Sequence, residues 1–550
     1  MIRESRKGRQ PKDRNGAGGS KQKLLLIAYI FCYFLVSFSF LTSFPFVHSD
    51  ESWLSGLTRN MMESGSLGVT ETFYDLKPRY PHAIKTIFHL LQMPMMKLFG
   101  YRIFSFRLLS LIFGCIALVL FYLLLKRIFS ASRYGASRWY PLAGAVLLSS
   151  DIQFIYASHF ARQEIILVCC IIACVLAVMA KRPAIAALVT GLSIGLHPNS
   201  FLIGAMCAAM LFPFRPRESI RNAGDRGHNV RNDVPRREWK PLLKYAAITS
   251  AFAAFFISLS LSFDGDFFHH YLEYGNSEFD IAAPVTSKLM ELPYFFQKIW
   301  YGVSGTYYVP GVRFELVLFG LSAFVLAVLL SLGKLKYRSE TVLIGKGIAG
   351  MLLGMVLIGR YNQTSIVFLF PLFFLLVLLA AANLAEGAVR VGLIAVLILT
   401  VASLSAIQVA PWLKFSYDDY LHEIAKAVSP DSKVLANLNC EYYFENGKLL
   451  DYRNLSYLKQ EGMSVEEYVR KNKIEYIILS DEMDLIYGQR PIWNMIYGNP
   501  RYMNELHRFL EERCVPVRQF RNDLYGVRIV QYINSGRAFT VQIFKVKDLS

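Results

Sequence analysis

Four groups of ionisable residues lie at the ends of apolar runs in this 550-residue chain, where a charge is costly unless it is used. They are His48-Ser49-Asp50-Glu51, His159-Phe160-Ala161-Arg162-Gln163-Glu164, His197 in Leu196-His197-Pro198-Asn199, and Arg360-Tyr361-Asn362. A carboxylate in such a place can take a proton from an incoming hydroxyl or amine as general base. Arginines beside it can hold an anionic phosphate and stabilise its charge as a leaving group. Asp50 and Glu51 are the candidate bases, and Arg162, Arg360, His197 and Lys85 the candidate phosphate binders. Glu164 is a second acid. His48, Asp50 and Glu164, with His159, have the donor types of a divalent-cation site, Mg, Mn or Zn, although no tight ligand spacing supports one.

Each of these residues also has a structural reading. Asp50 can cap a surface helix over 51–64 with Glu51 in its first turn. Glu164 can pair with Arg162, and both arginines can snorkel to headgroups. His197 can cap a carbonyl before Pro198, Lys85 can anchor at the headgroups, and Asp151 can pair with Arg107 or Arg162. The pair His269-His270 reads as loop surface.

The elements that must position these groups are membrane helices. Hydrophobic residues make up 54% of the chain and charged ones 18%, with a mean hydropathy of +0.34; soluble domains average about 45–50% and about 25%. The apolar residues fall in blocks, and a spanning helix needs about 20 of them. Eleven segments qualify or nearly qualify: roughly 24–47, 105–125, 139–157, 164–180, 184–196, 199–212, 242–262, 314–332, 342–358, 364–382 and 391–409. The fifth and sixth are short and meet at His197-Pro198 as a hairpin. The first is too long for a cleaved signal peptide. Residues 1–23, with eight Lys/Arg, read as a disordered basic cytoplasmic tail.

The net charge of +18 raises a nucleic-acid reading that the location of the charges removes. With the N-terminus cytoplasmic, the tail and the inside loops 126–138, 181–183, 213–241, 333–341 and 383–390 carry 26 Lys/Arg, which orients the bundle. Loop 213–241 is an orientation signal facing anionic lipid. Residues 410–550, with 19 charges of each sign, then lie outside as a neutral α/β domain. That domain has helical patterns near 417–428, 464–472 and 500–513 and strand patterns at 433–438, 474–480 and 539–546. Outer loops 48–104 and 263–313 complete the outward side, the first with amphipathic stretches near 51–64 and 82–99. Eight cysteines exclude a disulfide scaffold; Cys440 and Cys514 could pair in an oxidising compartment. The outer domain has no Gly-rich phosphate loop, nucleophile elbow or Cys/His cluster, so it reads as a cover or an acceptor contact. Asn362-Gln363-Thr364 and Asn454-Leu455-Ser456 are formal sequons.

On this topology Asp50, Glu51, Arg107, Asp151, Arg162, Glu164, Glu315 and Arg360 gather toward the outward ends of their helices. A transporter places its substrate and coupling-ion sites near the midplane. A one-sided cluster describes a site that opens outward, with a lipid tail lying between helices.

At these residues the chain resembles the C-type (GT-C) glycosyltransferases, polytopic enzymes that use polyprenyl-phosphate sugars, in particular the dolichyl- or polyprenyl-phosphate-mannose protein mannosyltransferases and the lipid A aminoarabinose transferases. The matching features are the acidic pair Asp50-Glu51 after the first span, Tyr80-Pro81-His82 and Leu98-Phe99-Gly100 on a surface helix, and Arg107-Leu108 opening the next span. Arg162-Gln163-Glu164, His197-Pro198 after a Gly-rich helix, and Arg360-Tyr361 followed by Pro371 complete the series. Pro81-His82-Ala83-Ile84-Lys85 departs from the family's Pro-Pro-Leu-Tyr, which puts recognition at that helix in question. The resemblance covers about residues 20–410. It implies a polytopic α-helical membrane protein, here of about 11 spans over 24–409; the C-terminal extracytoplasmic α/β domain over 410–550 fits the family by position only. It also implies inverting transfer of a hexose or pentose from a polyprenyl-phosphate donor to a lipid, glycan or protein acceptor, without nucleic acid, in a prokaryotic plasma membrane. A polytopic lipid or polysaccharide transporter and an outward-facing phosphate-group transferase are the rival readings.

Overall fold

Alternation between apolar runs and short polar joints dictates a bundle of helices. The structure, a computed structural model, describes residues 15–130, 139–213, 238–279, 282–303, 305–359, 361–489, 500–526 and 539–548. Residues 1–14 of the basic tail, 214–237 of the basic loop, and Arg360 lie outside that set. Helix α1 (Asn15–Phe38) leads to a turn and to α2 (Ser49–Ser64), which ends at Gly65 in the left-handed conformation, φ 65°. Helix α3 (Thr86–Phe99) follows, then α4 (Ile103–Ser130), α5 (Tyr140–Ser149), α6 (Ile152–Ser158), α7 (Glu164–Met179), α8 (Pro183–Ile194) and α9 (Ser200–Leu211). Beyond these come α10 (Lys240–Phe263), the short helices α11 (Phe267–Phe279) and α12 (Val285–Tyr301), and then α13 (Arg313–Ser331), α14 (Arg338–Ile358), α15 (Phe370–Leu384) and α16 (Gly387–Val409).

Among the described residues six helices are long and apolar enough to cross a membrane, and five further apolar helices are shorter. The short ones have local causes. Asp151 breaks the third segment by capping α6, its Oδ1 accepting the backbone N–H of Gln153 (3.0 Å) and Phe154 (3.1 Å). His197-Pro198 separates α8 from α9 as the sequence predicts. Small residues let backbones approach: a Cβ at Gly350 on α14 would stand 2.6 Å from the Ala205 carbonyl on α9. Gly347 and Gly354 extend that seam, so α9 and α14 are locked at close range.

Residues after α16 form a sheet with helices. Strands β1 (Val434–Ala436), β2 (Leu449–Asp451), β3 (Tyr476–Ser480), β4 (Cys514–Asn522) and β5 (Phe539–Val546) lie in the order β2-β1-β3-β5-β4. The first three are parallel; β5 runs antiparallel to both β3 and β4. Helices α17 (Tyr417–Ala425), α18 (Val465–Lys471), α19 (Asp481–Gln489) and α20 (Met503–Arg513) accompany them. The predicted strands and helices are all present; β2 and β4 were not predicted. β2 has three residues, too few for a pattern, and β4 is an edge strand carrying Pro516 with Arg518 and Arg521. Cys440 and Cys514 are both free and buried, in separate apolar clusters, and do not pair.

This unit is joined to the segment between α2 and α3. Arg59 of α2 bonds the Glu441 carboxylate and the Phe444 carbonyl (2.8 Å), and Ser55 bonds Tyr442 (2.8 Å). Asn454 Oδ1 accepts the backbone N–H groups of Asp75, Leu76 and Lys77 at 3.2–3.3 Å, while its Nδ2 donates to the Phe73 carbonyl at 2.9 Å. That amide is buried and fully engaged, so the Asn454 sequon is closed to glycosylation in the folded chain.

Candidate active site

His48, rather than Asp50, caps α2. Its Nδ1 accepts the Asp50 N–H at 3.0 Å, and its own N–H is taken by Glu51 Oε2 at 2.9 Å, a reciprocal cap. The arrangement releases the Asp50 side chain from the capping role the sequence offered it. Glu51 turns into the bundle and forms a bidentate pair with Arg107 of α4, Nε to Oε1 at 2.9 Å and Nη2 to Oε2 at 3.0 Å. Glu51 Oε1 also accepts the Ala161 N–H at 2.9 Å, and Arg107 donates to the Leu41 carbonyl at 3.1 Å. Both partners are wholly buried. Glu51 is therefore a clamp tying α2, α4 and the α6–α7 turn together, and its expected place among the candidate bases is corrected by that engagement.

Asp50 points the other way. Its side chain is 22% exposed, against 5% for Arg162 and 4% for Glu164 beside it. Arg162 Nη1 donates to Asp50 Oδ2 at 2.9 Å, and Nη2 pairs with Glu164 Oε1 at 3.0 Å. The guanidinium thus bridges the two carboxylates. Thr364, at the start of the turn before α15, donates to Glu164 Oε1 at 3.3 Å. Tyr307, from the segment between α12 and α13, donates its hydroxyl to Asp50 Oδ2 at 2.5 Å and stacks on the His48 ring at 4.4 Å. The Arg162 guanidinium lies 5.1 Å from the Tyr307 ring centroid and 5.5 Å from that of Phe160.

The remaining predicted residues take several positions. His159 is held by two carbonyls, Nδ1 near Ile155 O (2.8 Å) and Nε2 near Ser37 O (3.0 Å), and stacks on Phe40. Both ring nitrogens are occupied, so His159 supports the α1–α6 packing and leaves the expected metal set. His197 Nδ1 accepts the Asn199 N–H at 3.1 Å, the turn-capping role. The start of α3 docks on that turn, Ile87 N–H to the Gly195 carbonyl at 2.8 Å, which puts Lys85 and His197 each two residues from the contact. Burial, then Lys85 and Arg79, hold the nearby His82 imidazole down to about 3. Asp151 pairs with neither Arg107 nor Arg162, a correction: Arg107 is taken by Glu51, and the charged group acting on Asp151 is Glu315. His269-His270 lies in α11, where the His270 ring stacks on Tyr80 and its Nδ1 lies 2.8 Å from Asp264.

The expected divalent-cation set does not assemble. Arg162 stands between Asp50 and Glu164, and among the described residues no three His, Cys, Asp or Glu side chains form a metal group.

Two features were absent from the sequence reading. Tyr307 is one; Gly305, Pro310 and Gly311 around the Tyr307-Tyr308 pair mark a tight turn in a position to reach over a site. The other is an aromatic and ionic wall beginning at Trp53, one helical turn beyond Asp50 on the same face of α2. Trp53 Nε1 donates to Glu71, which Arg79 holds through two bonds of 3.0 Å. Burial would raise Glu71, but Arg79 and Trp53 bring its carboxyl down to about 2. The Arg453 guanidinium, paired with Asp451, lies 4.8 Å from the Trp53 ring and close enough to act on Asp50.

A partly exposed carboxylate, oriented by a bridging arginine beside an aromatic wall, can accept a proton from a nucleophile. No protein-family model and no curated protein sequence matches the chain. Solved structures do. ArnT from Cupriavidus metallidurans, bound to undecaprenyl phosphate, aligns with a TM-score of 0.56 at 12% identity, over 95% of this chain and 98% of that one. The Archaeoglobus fulgidus oligosaccharyltransferase in its apo form aligns with a TM-score of 0.50 at 12% identity, over 85% of this chain and 71% of that one. Over most of its length this chain shares the fold of those two structures, the fold that its motifs predict.

Proposed function

We propose, from a chain with this fold, that the protein is an integral-membrane glycosyltransferase moving a sugar from a polyprenyl-phosphate donor to an acceptor at the outer membrane face. The observation that carries the reading is Asp50, a carboxylate 22% exposed among buried partners and oriented by Arg162 and Tyr307, while Glu51 and His48 do the structural work. The likeness to a structure holding undecaprenyl phosphate supports the donor class. The 26 basic residues of the inside loops and tail support eleven crossings, a cytoplasmic N-terminus and an external α/β domain, as in a prokaryotic plasma membrane.

Asp50 takes the proton of the acceptor hydroxyl or amine as that atom attacks the anomeric carbon. The bond from that carbon to the phosphate oxygen breaks, and the lipid phosphate leaves with the electron pair. A single attack of this kind inverts the anomeric centre. Lys85 and His197, with Arg360, hold the departing phosphate. Arg162, shared between two carboxylates, holds the Asp50 side chain in place. The wall of Trp53, Arg79 and Arg453, with the α/β unit behind it, is the side from which the acceptor approaches.

Mass spectrometry of lipids and glycans from cells lacking the chain tests the reading. One glycan or glycolipid should lose a sugar, and the polyprenyl-phosphate sugar that carried it should accumulate. An unaltered set of glycan structures, with one of them stranded on the cytoplasmic face, would instead identify a transporter.

A further inference from the structure

Tyr307 lies 257 residues from Asp50 in sequence, yet its hydroxyl is 2.5 Å from the Asp50 carboxylate. We propose that Tyr307 is the positioning residue of the base, an anchored hydroxyl that fixes the orientation of the Asp50 carboxylate and sets its proton affinity.

Three observations carry this. The hydroxyl and Arg162 Nη1 converge on the same oxygen, Oδ2, so the carboxylate is held in one rotamer by donors from two separate elements. The Tyr307 ring is itself placed, lying nearly parallel to His48 (15°) with Arg162 5.1 Å away. The strap that carries it is pinned at both following points. Tyr308 meets Trp412 and Phe44 edge-on, at 5.1 and 5.5 Å. The Gln408 carboxamide on α16 clamps Gly311, accepting its N–H at 2.6 Å and donating to its carbonyl at 3.0 Å. The hydroxyl is therefore preorganised rather than borrowed from a loose loop.

Burial pushes the Tyr307 phenol up, so it stays protonated and acts as the donor. A hydrogen bond donated to a carboxylate favours its ionised form. Other groups acting on Asp50 include His48 at the start of α2, Arg162 from the α6–α7 turn with Glu164 behind it, and Arg453 from the turn after β2. Tyr307→Phe removes one donor and keeps the stack on His48 and the remaining charges.

The role as base rests on the functional reading above, but the effect on Asp50 is measurable without any substrate. Dicyclohexylcarbodiimide modifies protonated carboxyls, and peptide mass spectrometry reads its attachment to Asp50 in the full chain as a function of pH. In Tyr307→Phe the pH of half-maximal labelling should rise by about one unit. Once the donor is identified from the glycan analysis, the acidic limb of the transfer rate should move the same way, with kcat lowered and KM little changed. An unshifted labelling curve overturns the proposal even if Asp50→Asn is inactive. A shifted curve beside a fully active Asp50→Asn keeps the Tyr307 coupling and removes Asp50 as base.

Discussion

Asp50→Asn should lower sugar transfer by roughly a hundred- to ten-thousand-fold, the range associated with loss of a positioned general base, while leaving the protein folded and able to bind donor. Asparagine is nearly isosteric and keeps an oxygen that accepts from Arg162 and Tyr307. It cannot take the acceptor's proton. Arg162 retains Glu164 as counter-charge, so no uncompensated cation is left behind. The N-cap of α2 is untouched, because His48 provides it. Rates in membranes from cells expressing each variant, with protein level and thermal midpoint measured alongside, separate lost chemistry from lost folding.

The largest stability effect should come from Glu51 and Arg107. Breaking a buried ion pair from one side costs about 3–5 kcal/mol, because the surviving charge stays buried without its partner. Here the cost falls on the site as well. Glu51 accepts from His48 N and Ala161 N besides Arg107, so Glu51→Gln loosens both the α2 cap and the turn that presents Arg162. Arg107→Met leaves the Glu51 carboxylate unpaired among apolar residues. Each single variant should show a large drop in thermal midpoint in detergent, and the double variant should recover part of it. Single variants as stable as the parent chain would contradict the buried clamp.

Much of this arrangement was legible in sequence because it is governed by local patterns. Apolar blocks of helical length separated by charged or Gly/Pro joints specify the bundle, and alternating or amphipathic stretches after residue 410 specify the sheet and its helices. The site could be located because charge at the end of an apolar run is costly and therefore informative. What sequence could not resolve is which way adjacent side chains turn. Asp50 and Glu51 are neighbours of the same type, and only the helix rotation set by the His48 cap sends one into the bundle and the other to the surface. The pairing of Arg107 with Glu51 rather than Asp151, and the arrival of Tyr307, depend on packing between helices far apart in the chain. Strand β4 was hidden for another reason: an edge strand with a proline and outward charges carries little of the pattern that marks a central one.

The proposed reaction breaks the bond between sugar and lipid phosphate. The direct measurement places purified protein in liposomes with no ion gradient, together with a radiolabelled polyprenyl-phosphate sugar and the acceptor that the glycan analysis identifies. The account predicts one molecule of free polyprenyl phosphate for each sugar transferred, and near-background release with Asp50→Asn. Movement of the intact lipid-linked sugar across the bilayer without cleavage, or appearance of the phosphate on the product, would contradict it.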